Sequence, residues 1–334
     1  MKYSLFLLIW LILFSTFSAL AQNDLAKGLE LYKAKNYDGA VSFFKNFTKT
    51  NSADANAWYY LGLAQMGDNK LKDAEKSLKK SLSINQNNSS TFSTLAYLYL
   101  LRNKSNEARE AATSSLKLDK QNADAQYVMG VIAFRDGFYN RSYDYAKKII
   151  GIDSTYSSAY LLKAECLISS FIQQSGTVML PKNQRADLLK EAKDDLEKYV
   201  SLAPQAKDIK FYQEYLESIK FFAEYYSKIN APAPTGVDAS DPSNVYSTNI
   251  KVLTKPRAEY SEQARQAGVQ GLITLLVNFS DKGTIKDILV LKPLGFGLDQ
   301  AAIQAAHKIK FKPAEKSGTP VSVVKMVQYT FTLY

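Results

Sequence analysis

One cysteine and one histidine among 334 residues exclude much of the usual catalytic and redox chemistry. Cys166 has no partner for an internal disulfide, and a lone His307 cannot build a multi-histidine metal site. Cys166 sits in the apolar helical run Leu161-Leu162-Lys163-Ala164-Glu165-Cys166-Leu167, the setting of a small core residue. His307 lies among lysines on a different segment, so a Cys–His dyad is not expected. Phosphate loops are missing too: Leu294-Gly295-Phe296-Gly297 lacks the spacing of a dinucleotide fingerprint and reads as a turn before a helix. No nucleophile elbow or carboxylate-rich metal loop occurs. These absences predict a non-enzyme with no cofactor and no metal.

Long apolar runs are equally scarce. Leu5 to Phe17 is the one candidate; Lys2 precedes it, and Ala19-Leu20-Ala21 follows as a small-x-small site before Gln22. Ser15, Thr16 and Ser18 break the run short of the roughly 20 apolar residues a membrane helix needs. The expectation is a signal peptide over residues 1–21, cleaved to release an exported protein. Retention as a membrane anchor is the alternative. No cysteine follows the small residues, which argues against a lipid anchor there.

The formal charge of +10 does not concentrate into a nucleic-acid footprint. Lysines alternate with acids, as in Lys72-Asp73-Ala74-Glu75-Lys76, the pattern of a solvated helix face. Residues 250–334 hold 12 Lys and Arg against 6 Asp and Glu, a mild cationic excess.

What the chain does have is a period. Gly28, Gly62, Ala96, Gly130 and Ala164 are each 34 residues apart, and Ala40, Ala74 and Ala108 follow the first three by twelve. Small residues at two fixed offsets allow paired helices to cross closely, and this spacing resembles the tetratricopeptide repeat. Ser142 departs from the pattern in the fourth repeat. In the fifth, Ala192 follows Ala164 by 28 residues, which implies an inter-helix loop enlarged by Gln173-Gln174-Ser175-Gly176 and Pro181-Lys182-Asn183. Asn- and Asp-rich breaks such as Asn85-Gln86-Asn87-Asn88 supply turns and helix caps. An amphipathic segment from Ile209 to Tyr226 would cap the stack. The repeat phase points Tyr59, Leu63, Met66, Tyr97, Leu101, Tyr127, Val131 and Arg135 toward a concave groove suited to a partner protein.

After Ile229 the pattern stops. Ala231-Pro232-Ala233-Pro234 and Asp241-Pro242 cannot continue a helix, so residues 229–249 read as a linker, extended to about 60 Å if stretched. Residues 250–334 then read as helix, strand, strand, helix, strand. Ser261 caps a helix ended by Gly268, Leu272 to Phe279 and Thr284 to Leu291 flank the turn Asp281-Lys282-Gly283, Leu298 to Ile309 is helical, and Val321 to Leu333 is the last strand.

The series Tyr260-Ser261, Gly268, Gly271, Leu298-Asp299, Phe311-Lys312-Pro313-Ala314 and Gly318-Thr319-Pro320-Val321 resembles the C-terminal domain of the TonB family of periplasmic energy transducers. The family usually has Tyr-Pro where Tyr260-Ser261 stands, a departure that bears on partner contact. The implied fold class is multidomain: an all-α tetratricopeptide solenoid over 22–228, then a small α+β domain. The resemblance implies that the domain accepts an extended segment of an outer-membrane transporter, or another envelope protein, as an added strand. On the terminal strand that surface comprises Ser322, Val324, Met326, Gln328, Thr330 and Thr332. The expected function is a periplasmic protein-protein interaction scaffold with protein partners and no nucleic acid. The alternative is a membrane-anchored energy transducer for transport across the outer membrane.

Overall fold

A computed structural model describes residues 25–171, 182–230 and 249–333. The signal segment, the loop stretch from Gln173 to Pro181 and most of the linker lie outside the described residues. Residues 25–33 form helix α1. It is followed by α2 (Tyr37–Thr50), α3 (Ala55–Gly67), α4 (Leu71–Ile84), α5 (Ser89–Leu101), α6 (Ser105–Leu118), α7 (Ala123–Arg135), α8 (Tyr139–Ile152), α9 (Ser157–Ser169), α10 (Lys182–Leu202) and α11 (Ile209–Asn230). Two compact units divide the chain, Met1–Val128 and Met129–Tyr334, and the division falls within α7.

The period is built from local chemistry that recurs in register. Helices α3, α5, α7 and α9 have 13 residues each, whereas α2, α4, α6 and α8 have 14. Asp54 and Asn88 cap α3 and α5 through side-chain oxygens that accept backbone N–H groups. Asn122 does the same for Ala125 in α7. Each such cap contributes about 1 kcal/mol. Ser81 Oγ donates to Ala55 O at 2.8 Å, and its counterpart Ser115 Oγ donates to Ser89 O at 2.9 Å. The turns repeat as well: Lys35, Asn69, Asn103 and Gly137 all have positive φ. In the Met1–Val128 unit, Ala40, Val41, Phe44, Leu61 and Ala64 form a core, and a Cβ at Gly62 would fall 2.7 Å from Leu78 Cγ.

The two departures have physical reasons. Ser142 is fully buried, and its Oγ donates to Gly130 O at 2.8 Å, so the hydroxyl is satisfied where the other repeats place alanine. The fifth-repeat insertion does not lie wholly in a loop: α10 starts at Lys182 and runs for 21 residues, so Lys182 and Asn183 belong to the helix.

The terminal domain consists of β1 (Lys251–Thr254), α12 (Glu262–Gln266), β2 (Gly271–Phe279), β3 (Ile285–Lys292), α13 (Leu298–His307), β4 (Lys310–Lys312), β5 (Ala314–Lys316), β6 (Thr319–Val321) and β7 (Val323–Phe331). Strands β3, β2 and β7 form an antiparallel sheet with β2 at its centre. The ladder between β2 and β7 runs without a bulge from Gly271↔Phe331 to Phe279↔Val323. The expected long final strand is broken. Val321 pairs with Ala314 in a β5–β6 hairpin turned by Ser317 and Gly318, both at positive φ, and the sheet strand starts at Val323. β1 and β4 pair in a second small sheet, which carries Phe311 onto Phe279 edge to face.

The Met129–Tyr334 unit has one continuous core. It joins Ala164, Leu167, Leu189, Ile219 and Phe222 of the last helices to Ile273, Leu289, Ala302 and Phe331 of the terminal domain. Within this unit α11 and α9 pack directly against β3. Apolar surface on β3 and on the last helices is buried by their mutual packing.

Candidate docking surfaces

The sheet has two lateral edges, and they differ. At β3, the N–H of Val290 donates to Tyr215 Oη at 3.0 Å, and that of Ile288 donates to Ser218 Oγ at 3.2 Å. Both acceptors project from α11 and are buried. Residues 288 and 290 share one side of the strand, so α11 occupies the β3 edge with side-chain oxygens in place of a strand.

The β7 edge is different. Gln328 pairs with Thr274, and its carbonyl accepts from Lys255 Nζ at 2.6 Å, which marks it as facing away from β2. By alternation, the backbone groups of Val324, Met326, Gln328 and Thr330 face the outer edge. Val324 is partly buried, Met326 is 46% exposed, and Gln328, Thr330 and Thr332 are exposed. Ser322 precedes the strand and is engaged by Asp281, whose N–H it accepts at 3.0 Å. The opposite row packs inward, with Val323, Tyr329 and Phe331 buried.

Ser261 shows what the missing proline gains. Its Oγ accepts from Ala264 N–H at 3.1 Å to cap α12, and it also donates to Phe296 O. Tyr260 keeps its own place, donating to Val269 O and meeting the Phe331 ring edge to face.

Within the array, Tyr59, Leu63 and Met66 share one face of α3 and are partly buried. Tyr97, 40% exposed, and partly buried Leu101 lie on α5. Thr94 Oγ1 donates to Tyr59 Oη at 3.4 Å, so the two faces meet. Burial raises the Tyr59 phenol above its ordinary value. Tyr127 and Val131 are partly buried on α7. Arg135 is exposed, yet its guanidinium lies 4.7 Å from the centre of the Phe296 ring, against the terminal domain.

Sequence reasoning did not find the seam beside Phe296. A cavity of about 240 Å³ there is lined by Glu165, Asp208, Tyr212, Tyr215, Phe296 and Asp299 among others, with no basic side chain among the described residues of its wall. Burial, with the nearby Asp299 charge adding to it, pushes the Glu165 carboxyl up to about 8. Burial also raises Asp299, although its carboxylate accepts N–H bonds from Leu294 and Gly295, both at 2.9 Å. A residue's distant neighbours set this environment, so only Glu165 in an apolar run hinted at it. Cys166 is buried and its thiol is pushed up to about 12 by that burial, which keeps it in the unreactive form. His307 Nδ1 lies 3.0 Å from Ile285 O, a link between α13 and β3.

Residues 256–333 match the family model described as Gram-negative bacterial TonB protein C-terminal, and residues 25–89 match that of the tetratricopeptide repeat. The chain carries both modules. No curated protein matches its sequence. Among solved structures it is similar to MamA, with 21% identity over 53% of this chain and 96% of that one at a TM-score of 0.42. It is also similar to a thermophilic tetratricopeptide protein of Thermus thermophilus, with 19% identity over 60% and 99% of the two chains and a TM-score of 0.47. For Pseudomonas aeruginosa pilF the identity is 13%, over 63% and 89%, at a TM-score of 0.47. Tetratricopeptide repeats and TonB C-terminal domains are non-catalytic interaction modules, and the latter implies association with the cell envelope. Among the described residues no helix is long and apolar enough to cross a membrane.

Proposed function

We propose that the protein is an exported envelope scaffold that holds one protein partner on its repeat array and docks a second through its TonB C-terminal domain. The domain takes an extended segment of an outer-membrane transporter, or of another envelope protein, as a fourth strand beside β7. Backbone hydrogen bonds supply affinity, and the exposed row at Met326, Gln328, Thr330 and Thr332 reads alternate side chains. The array contact uses Tyr59, Leu63, Met66, Tyr97, Leu101, Tyr127 and Val131. Residues 1–21 act as the cleaved signal, and residues 229–249 link the array to the docking domain.

One observation carries this reading: α11 fills the β3 edge, while β7 presents its outward backbone groups along an unbulged strand. A photo-cross-linking residue at Thr330, placed in the full chain and exported in cells, tests it. Capture of a defined envelope protein through an extended segment is expected, with no capture from the same residue at Ser218. Equal capture from both positions, or none from Thr330, overturns strand docking at β7.

A further inference from the structure

The β7 edge carries a device of its own. Lys255 is exposed, yet its ammonium donates to the outward carbonyl of Gln328 at 2.6 Å and sits 4.6 Å from the centre of the Tyr329 ring. A strand pairing with β7 needs that carbonyl for one of its own N–H groups, so Lys255 must leave it. Charged edge side chains of this kind are a general protection against unwanted pairing. An ammonium displaced into a forming interface has to be paired again, because an unpaired charge there is costly.

The neighbouring charges favour one kind of replacement. Lys325 is exposed on β7 itself, and Lys251, Lys310 and Lys312 are exposed on the β1–β4 pair, whose β1 strand ends one residue before Lys255. Asp281, in the turn between β2 and β3, is already held by Ser280 and Ser322. Val252 and Leu253, just before Lys255, are exposed apolar side chains, as is Met326, two residues before Gln328.

Resting on the docking reading above, we propose that Lys255 gates the β7 edge and selects an acidic extended segment, one that alternates apolar side chains with carboxylates and pairs one carboxylate with the displaced ammonium. A neutral strand would leave Lys255 unpaired, and a basic strand would add repulsion from Lys325. The gate therefore works as both protection and choice.

Three labelled ten-residue peptides test this on the full chain. Each alternates valine and threonine, with glutamate, glutamine or lysine at two central positions. Fluorescence anisotropy reads affinity, and a photo-cross-linker at Thr330 reports whether binding is at β7. The glutamate peptide should bind about tenfold more tightly than the glutamine peptide at low salt, the size of one modest charge pair. Lys255→Gln should cut that advantage to about threefold or less, and Lys255→Glu should shift preference to the lysine peptide. Cross-linking at β7 with equal affinities for all three peptides overturns the gate and leaves strand docking intact. Lys255→Gln tightening all peptides equally also overturns it, since Lys255 then only blocks. Absence of any cross-link at β7 overturns the docking reading and the gate together. Thermal melts of both variants that match the parent confirm that the exposed position does not report on folding.

Discussion

Tyr215 and Val290 lie 75 positions apart in sequence, and the phenol oxygen of the first accepts the backbone N–H of the second at 3.0 Å. This bond makes the last helix of a repeat array part of the edge of a β-sheet. It closes the β3 edge of the sheet to strand pairing.

Replacing Tyr215 by Phe removes the acceptor and leaves the Val290 N–H buried without its partner. The expected cost is about 1–3 kcal/mol. Chemical denaturation should show this loss, and hydrogen exchange should show faster exchange at Val290 and Ile288 with little change in α3 or α5. Unchanged exchange at β3 would mean that α11 does not hold the edge.

The seam should respond to pH through Glu165. Its carboxyl in the folded protein is raised from 4.5 to about 8, so the folded state keeps a proton that the unfolded chain releases. Its contribution to stability is full below pH 4.5, falls as pH rises, and is lost once pH passes about 8. Asp299, raised by the same burial, acts with the same sign. Thermal melts from pH 5 to 9 should thus show a declining midpoint, and Glu165→Gln should flatten the decline. The other groups facing this seam are Asp208, Tyr199, Tyr212 and Tyr215, with Arg135 over Phe296. A slope unaltered in the Gln variant would assign the effect to one of them.

Gly62 sits where α3 packs closely against α4. Gly62→Val places branched carbon where a Cβ alone would stand 2.7 Å from Leu78 Cγ. Overpacking of this kind costs about 1–3 kcal/mol, which exceeds the helix propensity gained by losing glycine. Urea unfolding followed by circular dichroism measures it, and a neutral result would show that α3 and α4 can separate freely.

Lys35 is the repeat-turn residue least suited to its backbone, at φ 59° where Asn69, Asn103 and Gly137 occupy the equivalent turns. Lys35→Gly relieves a left-handed conformation that costs a side-chain-bearing residue about 1 kcal/mol. A gain in melting temperature of a few degrees is expected, with no change in peptide binding at β7.

Much of the array was legible because its determinants are local and repeated. Asp54, Asn88 and Asn122 cap their own helices, and Gly62 or Ala74 needs only its facing helix. In the terminal domain the strand flanking Asp281-Lys282-Gly283 and the cap at Ser261 were equally visible, since turn and cap chemistry spans a few residues. The short strands β1, β4, β5 and β6 were not. With three or four residues each, they show no alternation long enough to distinguish from loop, and pairing partners such as Val252 and Phe311 are far apart in sequence. Repeat phase alone points Arg135 toward the groove, whereas its stacking on Phe296 depends on a domain more than a hundred residues downstream.

By itself, the sequence determined a tetratricopeptide array followed by a TonB C-terminal fold, because period, small-residue spacing, caps and turns act over a few residues to one repeat. Only the tertiary structure decided which sheet edge a helix closes and which a lysine side chain reaches. That choice rests on Tyr215 and Ser218 meeting the N–H groups of Val290 and Ile288, and on Lys255 reaching Gln328. Hydrogen bonds between residues about seventy positions apart have no periodicity to announce them, and they form only after apolar burial has brought their elements together.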